Sequence, residues 1–151
     1  MNSAYLPLLL AVPLVGSVLV ALLRRNERAA RVTAMLFALA ELVLAAATWL
    51  AYSTTSTERL QLTVSTEWIA SFGVRFSLGV DGIALVMIAL IALLVPIVIG
   101  ASWEDRLPEG RTLAGFFSLV LVLETLMVGV FAATDVFLFY VFFEAMLVPM
   151  Y

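Results

Sequence analysis

The sequence predicts an all-α polytopic membrane protein with about five transmembrane helices. Three observations lead there. Of 151 residues, 64% are hydrophobic and only 13% charged, and the mean hydropathy is +1.14, whereas soluble domains are about 45–50% apolar and about 25% charged. The apolar residues gather in runs long enough to cross a hydrocarbon core of about 30 Å, which takes roughly 20 residues of helix. The charged residues fall mostly between those runs.

The first run covers residues 4–23. Its positive charges follow the apolar stretch instead of preceding it, and Pro7 and Pro13 lie inside it, so it does not read as a cleaved signal peptide. The loop RRNERAAR comes next, with Arg24, Arg25, Arg28 and Arg31. The second run is 31–52. Residues 53–82 form the longest stretch outside the membrane. It is polar at first (STTSTER), then alternating: Leu60, Leu62 and Val64 enclose Gln61 and Thr63, and Val74, Phe76 and Leu78 enclose Arg75 and Ser77. That period of two predicts two short strands in a hairpin. Asp81 stands before the third run, 83–103, and Asp135 before the fifth; each is at a helix N-cap position. The fourth run is 112–133. The fifth starts at Val136 and reaches Tyr151 after about 16 residues, less than a full crossing. With Pro149 two residues from that point, a piece of a longer protein is expected. The whole reads as a single transmembrane domain, 1–151.

Arginine placement sets an expected orientation. The first loop and EDRLPEGR together hold six arginines (Arg24, Arg25, Arg28, Arg31, Arg106 and Arg111), against Arg59 and Arg75 on the other side. By the positive-inside rule the six face the cytoplasm, which puts the N-terminus outside. Every basic residue is arginine, and Ala and Val are abundant; this usage points to a bacterium with a GC-rich genome, hence to the bacterial cytoplasmic membrane.

The chain has no cysteine and no histidine. Disulfides, thiolate or imidazole metal sites, haem ligation and iron–sulfur clusters are therefore excluded within it. A net charge of -3, small and spread out, gives no sign of nucleic-acid binding.

Glu41, Glu124 and Glu144 lie inside the predicted spans. A charge at the bilayer centre costs about 2.5–3.5 kcal/mol on insertion scales, and such residues face a bundle interior or water. At about 1.5 Å of rise per residue, Glu124 and Glu144 sit about 13 Å from the outer end of their helices and Glu41 about 15 Å from the inner end of its own. All three are thus expected near the midplane. There a carboxylate can act as a proton station: burial favours its neutral form, and an approaching cation favours its charged form. No Arg, Lys or His lies at such depth in any span, so the cation must come from elsewhere. Tyr140, one turn before Glu144, is a candidate hydrogen-bond partner for it, and Phe137, Val141, Leu147, Val148 and Tyr151 share its face. Glu41 shares a face with Ala34, Ala38, Ala45 and Thr48, small residues that let helices approach closely. Glu124 lies among Phe117, Val120, Leu121, Met127, Val128 and Phe131, with Thr125 beside it, and is a candidate proton relay. Against these readings stands structural glue: a protonated glutamate that only bonds across helices.

FSLGVDGIALVMIALIALLVPIVIGASW and GVFAATDVFLFYVFFEAMLVPMY closely resemble the antiporter-like M subunits of respiratory complex I, the proton-pumping NADH:quinone oxidoreductase. The similarity is strongest over residues 76–151. It implies the first part of an antiporter-like inverted-repeat fold, with two five-helix repeats, each containing a broken helix. It implies that Glu144 matches the family's essential helix-five glutamate, whose lysine partner lies on helix seven, beyond Tyr151. It further implies partners among the other membrane subunits, a role in proton translocation, and no cofactor in this chain; flavin, iron–sulfur clusters and quinone would belong to partner subunits. Glu41 and Glu124 match no motif of the family. Alternatives are a subunit of a multi-subunit sodium/proton antiporter, a membrane-bound hydrogenase subunit, or an inert membrane anchor.

Overall fold

The computed structural model describes residues 4–104 and 110–151. Five helices appear: α1 (Tyr5–Leu22), α2 (Glu27–Ala51), α3 (Gly82–Ala101), α4 (Leu113–Ala132) and α5 (Val136–Met150). The first four are long and apolar enough to cross a membrane, and α5 is a shorter apolar helix of fifteen residues. The fold is an all-α polytopic membrane bundle with one added hairpin, β1 (Gln61–Ile69) and β2 (Val74–Val80). Arg106 of the expected second basic loop lies outside the described residues.

Local chemistry starts four of these helices, whereas α1 follows Ala4 with no side-chain cap. An N-cap side chain satisfies an amide that the first turn leaves without a partner. The Ala84 amide donates to Asp81 Oδ1 (2.8 Å). Asp135 Oδ1 accepts from the amides of Phe137 (2.9 Å) and Leu138 (3.2 Å). Thr112 Oγ1 accepts from Gly115 (3.1 Å). At Asn26 the cap moves a boundary. Its Oδ1 accepts from the Ala29 amide (3.1 Å), so α2 begins at Glu27 and not at Arg31. Arg28 and Arg31 therefore belong to the helix, and Arg31 reaches back one turn to Glu27 (3.4 Å).

The alternating sequence after α2 does form strands, paired antiparallel with Thr66 opposite Phe76. The turn closes through Gly73, whose φ of +67° suits a residue without a side chain. The hairpin is stitched to the α4–α5 connection. The Thr134 amide donates to Ser77 O (2.9 Å), the Thr134 hydroxyl to Ser77 Oγ (2.7 Å), and Leu78 bridges to Ala133. Trp68 meets Phe137 edge-on at 6.2 Å between ring centres.

Lipid is as apolar as leucine, so close fit and polar contacts hold membrane helices together. α4 is the centre of this bundle, touching α1, α2, α3, α5 and β2. Its buried face carries Phe117, Leu121 and Val128, and α1 answers with Leu6, Leu9 and Val20. Ser118 Oγ donates to the Ser17 carbonyl of α1 (2.9 Å). α5 rests on α4 and β2 and buries only Leu138.

Candidate functional site

Each of the three glutamates takes its surroundings from the helix that carries it. Glu144 lies in the middle of α5 on the side turned away from α4, and it is exposed. Its neighbours on that face are exposed too: Tyr140 at 60%, Leu147 at 47% and Val148 at 76%. Tyr140 and Glu144 share the face, but among the described residues no hydrogen bond joins them. Phe139 and Phe143 stack beside it with ring centres 6.0 Å apart. The result is a carboxylate in an aromatic and aliphatic surface that none of the described residues covers. A cleft of about 630 Å³ opens where α5 nears its end, lined by Arg111, Val120 and Leu123 on one side and Val148, Pro149 and Tyr151 on the other.

Glu41 and Glu124 are arranged in the opposite way. Both are fully buried, at 0% exposure. The buried stripe of α2 runs Ala34, Ala38, Glu41, Ala45 and Thr48, the small-residue face expected from the sequence. The buried stripe of α4 includes Phe117, Leu121, Glu124, Thr125 and Val128; Phe131, expected on it, is 38% exposed. The packing of α2 on α4 brings the two carboxylates close enough for the charge of one to act on the other. All four of their oxygens lack a hydrogen-bond partner. Sequence reasoning singled out both residues separately and missed that the packing of α2 on α4 buries both. The small-residue face of α2 carried the signal, because it marks where a second helix comes closest.

The structure thus brings together Glu41 and Glu124 and leaves Glu144 and Tyr140 apart from them. Chemically, α5 offers an acid on an exposed apolar face, and the α2–α4 contact offers two buried acids with no counter-charge among the described residues.

No family model matches the chain. It is 34% identical to NADH-quinone oxidoreductase subunit M of Mycobacterium tuberculosis, over 99% of its own length and 32% of that relative. Over nearly its whole length the chain is homologous to subunit M proteins. Further relatives at similar distance are F(420)H(2) dehydrogenase subunit M of Methanosarcina mazei (33% identity, 95% of this chain, 28% of the relative) and NADH-ubiquinone oxidoreductase chain 4 of Arabidopsis thaliana (31%, 95% and 28%). The chain spans about a third of the length of these subunit M relatives.

Proposed function

We propose that this chain supplies part of a proton-translocating membrane subunit of an NADH:quinone oxidoreductase, with Glu144 as its proton-transferring carboxylate. The observation that carries this reading is the position of Glu144: mid-helix, in apolar surroundings, on a face that none of the described residues covers. A carboxylate at that depth is stable when a cation lies opposite or when it holds a proton, so a cation that approaches and leaves drives proton release and uptake. A lysine on a helix supplied by the rest of the subunit is the counter-charge this requires. Tyr140 lies one turn away, placed to hold a water beside the carboxylate, and Pro149 removes a backbone hydrogen bond near the end of α5, which frees it to shift. Glu124 and Glu41 lie deeper in the bundle as further candidate relay groups.

Electron transfer is assigned to partner subunits, which would hold flavin, iron–sulfur clusters and quinone. The names of the relatives support this division. One is named for F(420)H(2) and others for NADH, at 31–34% identity alike, as expected for a stretch remote from the electron donor. The arginines around the α1–α2 connection support a reading in which that side faces the cytoplasm and the N-terminus the outside of a bacterial cytoplasmic membrane.

The test is Glu144→Gln in the complete, reconstituted complex. Loss of proton uptake with at least a tenfold fall in coupled quinone reduction is expected, with partial recovery in Glu144→Asp. Unchanged pumping in Glu144→Gln would assign the residue an inert, protonated role and favour a structural anchor.

A further inference from the structure

The α2–α4 contact holds a feature that the Glu144 reading does not use. Glu41 and Glu124 are fully buried, electrostatically within reach of each other, and unpartnered at all four oxygens. The hydroxyls of the surrounding helices are already committed. Thr48 Oγ1 donates to the Leu44 carbonyl (2.8 Å), Thr125 Oγ1 to Leu121 O (3.1 Å) and Ser118 Oγ to Ser17 O (2.9 Å). Nor does any packed element offer a cation at this depth. α1 carries only Tyr5 as a titratable group, α3 carries none, and α5 carries Tyr140 and Glu144 on its exposed face. On α2 the charged groups are Glu27, Arg28 and Arg31, and Arg31 is ten residues from Glu41, about 15 Å along the helix.

Two ionised carboxylates in this setting would combine two desolvation penalties with mutual repulsion and no compensation. A proton resolves both problems: it removes one charge and turns one oxygen from acceptor into donor. We propose that Glu41 and Glu124 form a proton-holding carboxyl pair, joined across the α2–α4 contact by an O–H···O hydrogen bond, as a second exchangeable-proton site that needs no basic partner. On loading, an O–H bond of a water-borne hydronium breaks as one carboxylate oxygen takes its proton, leaving water, and the new carboxyl O–H donates to the neighbouring carboxyl. The charge of the pair rises by one. This inference rests on α2 and α4 alone and stands whatever Glu144 does.

The experiment is infrared spectroscopy of the complete complex, read as differences between the parent and its variants. The parent shows a carboxylic-acid C=O band that shifts on exchange into deuterium oxide. Glu41→Gln and Glu124→Gln each remove or displace that same band, and the double variant does no more than the stronger single one. Glu144→Gln leaves the band in place, which separates this site from the one on α5. If neither Gln variant touches such a band, if the two remove separate bands independently, or if the band depends on sodium, the proposal is overturned. A variant-free check covers failure to assemble. Dicyclohexylcarbodiimide, an apolar reagent, adds to carboxylic acids and not to carboxylates. Peptide mass spectrometry of the labelled parent complex is expected to find Glu41 or Glu124 modified, never both in one chain. Absence of label from both residues counts against the pair.

Discussion

At Gly129 the fit between two helices is decided by a missing methyl group. A Cβ there would stand 2.6 Å from the Phe142 ring of α5, and one at Gly16 would stand 2.6 Å from Phe37 of α2. No real contact is that short, so Gly129→Ala forces α5 away from α4. The expected cost is about 1–3 kcal/mol, seen as a lower melting temperature of the detergent-solubilised complete protein, with partial recovery when Phe142→Leu is added. Asp135 acts at the same scale by accepting two amide hydrogen bonds. Asp135→Ala should cost about 0.5–2 kcal/mol and Asp135→Asn much less, measurable by the same melting experiment. The caps at Asp81 and Asp135 were legible in the sequence because donor and acceptor lie within three residues. The glycine contacts were not, because their meaning depends on which ring a second helix brings up.

Among the elements, the hairpin shows where a sequence pattern stops informing. Alternation over residues 60–64 and 74–78 announced two strands, yet nothing in it announced that β2 would bond to the α4–α5 connection at Ser77 and Thr134, 57 residues apart. That attachment makes the hairpin part of the bundle. The Thr134 amide, donating to Ser77 O at 2.9 Å, should be among the more protected amides outside the helices, whereas Ser56 to Arg59, where the chain leaves α2 without strand pairing, should exchange fast. Hydrogen exchange with mass spectrometry separates the two behaviours. Equal, fast exchange at both places would mean that the hairpin moves free of the bundle. The helix spans, in contrast, were legible nearly to their ends, because apolar length in a membrane protein is set by the bilayer. The visible shift is the start of α2, where Asn26 captures an amide and draws two arginines into the helix.

For the molecule as a whole, orientation and order of assembly matter most. With no cysteine in the sequence, one introduced thiol reports one place. Asn26→Cys should react with a membrane-impermeant maleimide from the cytoplasmic side only, and Thr55→Cys from the outside only; the reverse pattern would invert the proposed topology. Three glutamates inside the helices could be read from the sequence, but which of them would be buried together by α2 and α4 could not, since that depends on α4 packing at the centre. That centrality also has a kinetic meaning. The hydrogen bond from Ser118 to Ser17 joins residues 101 apart, so the contacts that α1 and α2 make with α4 can form only once α4 has been synthesised. Until then Glu41 has no acidic neighbour. Its carboxyl must travel from ribosome to bilayer alone, and the arrival of Glu124 completes both the bundle and the chemical setting of the residue that preceded it by 83 positions.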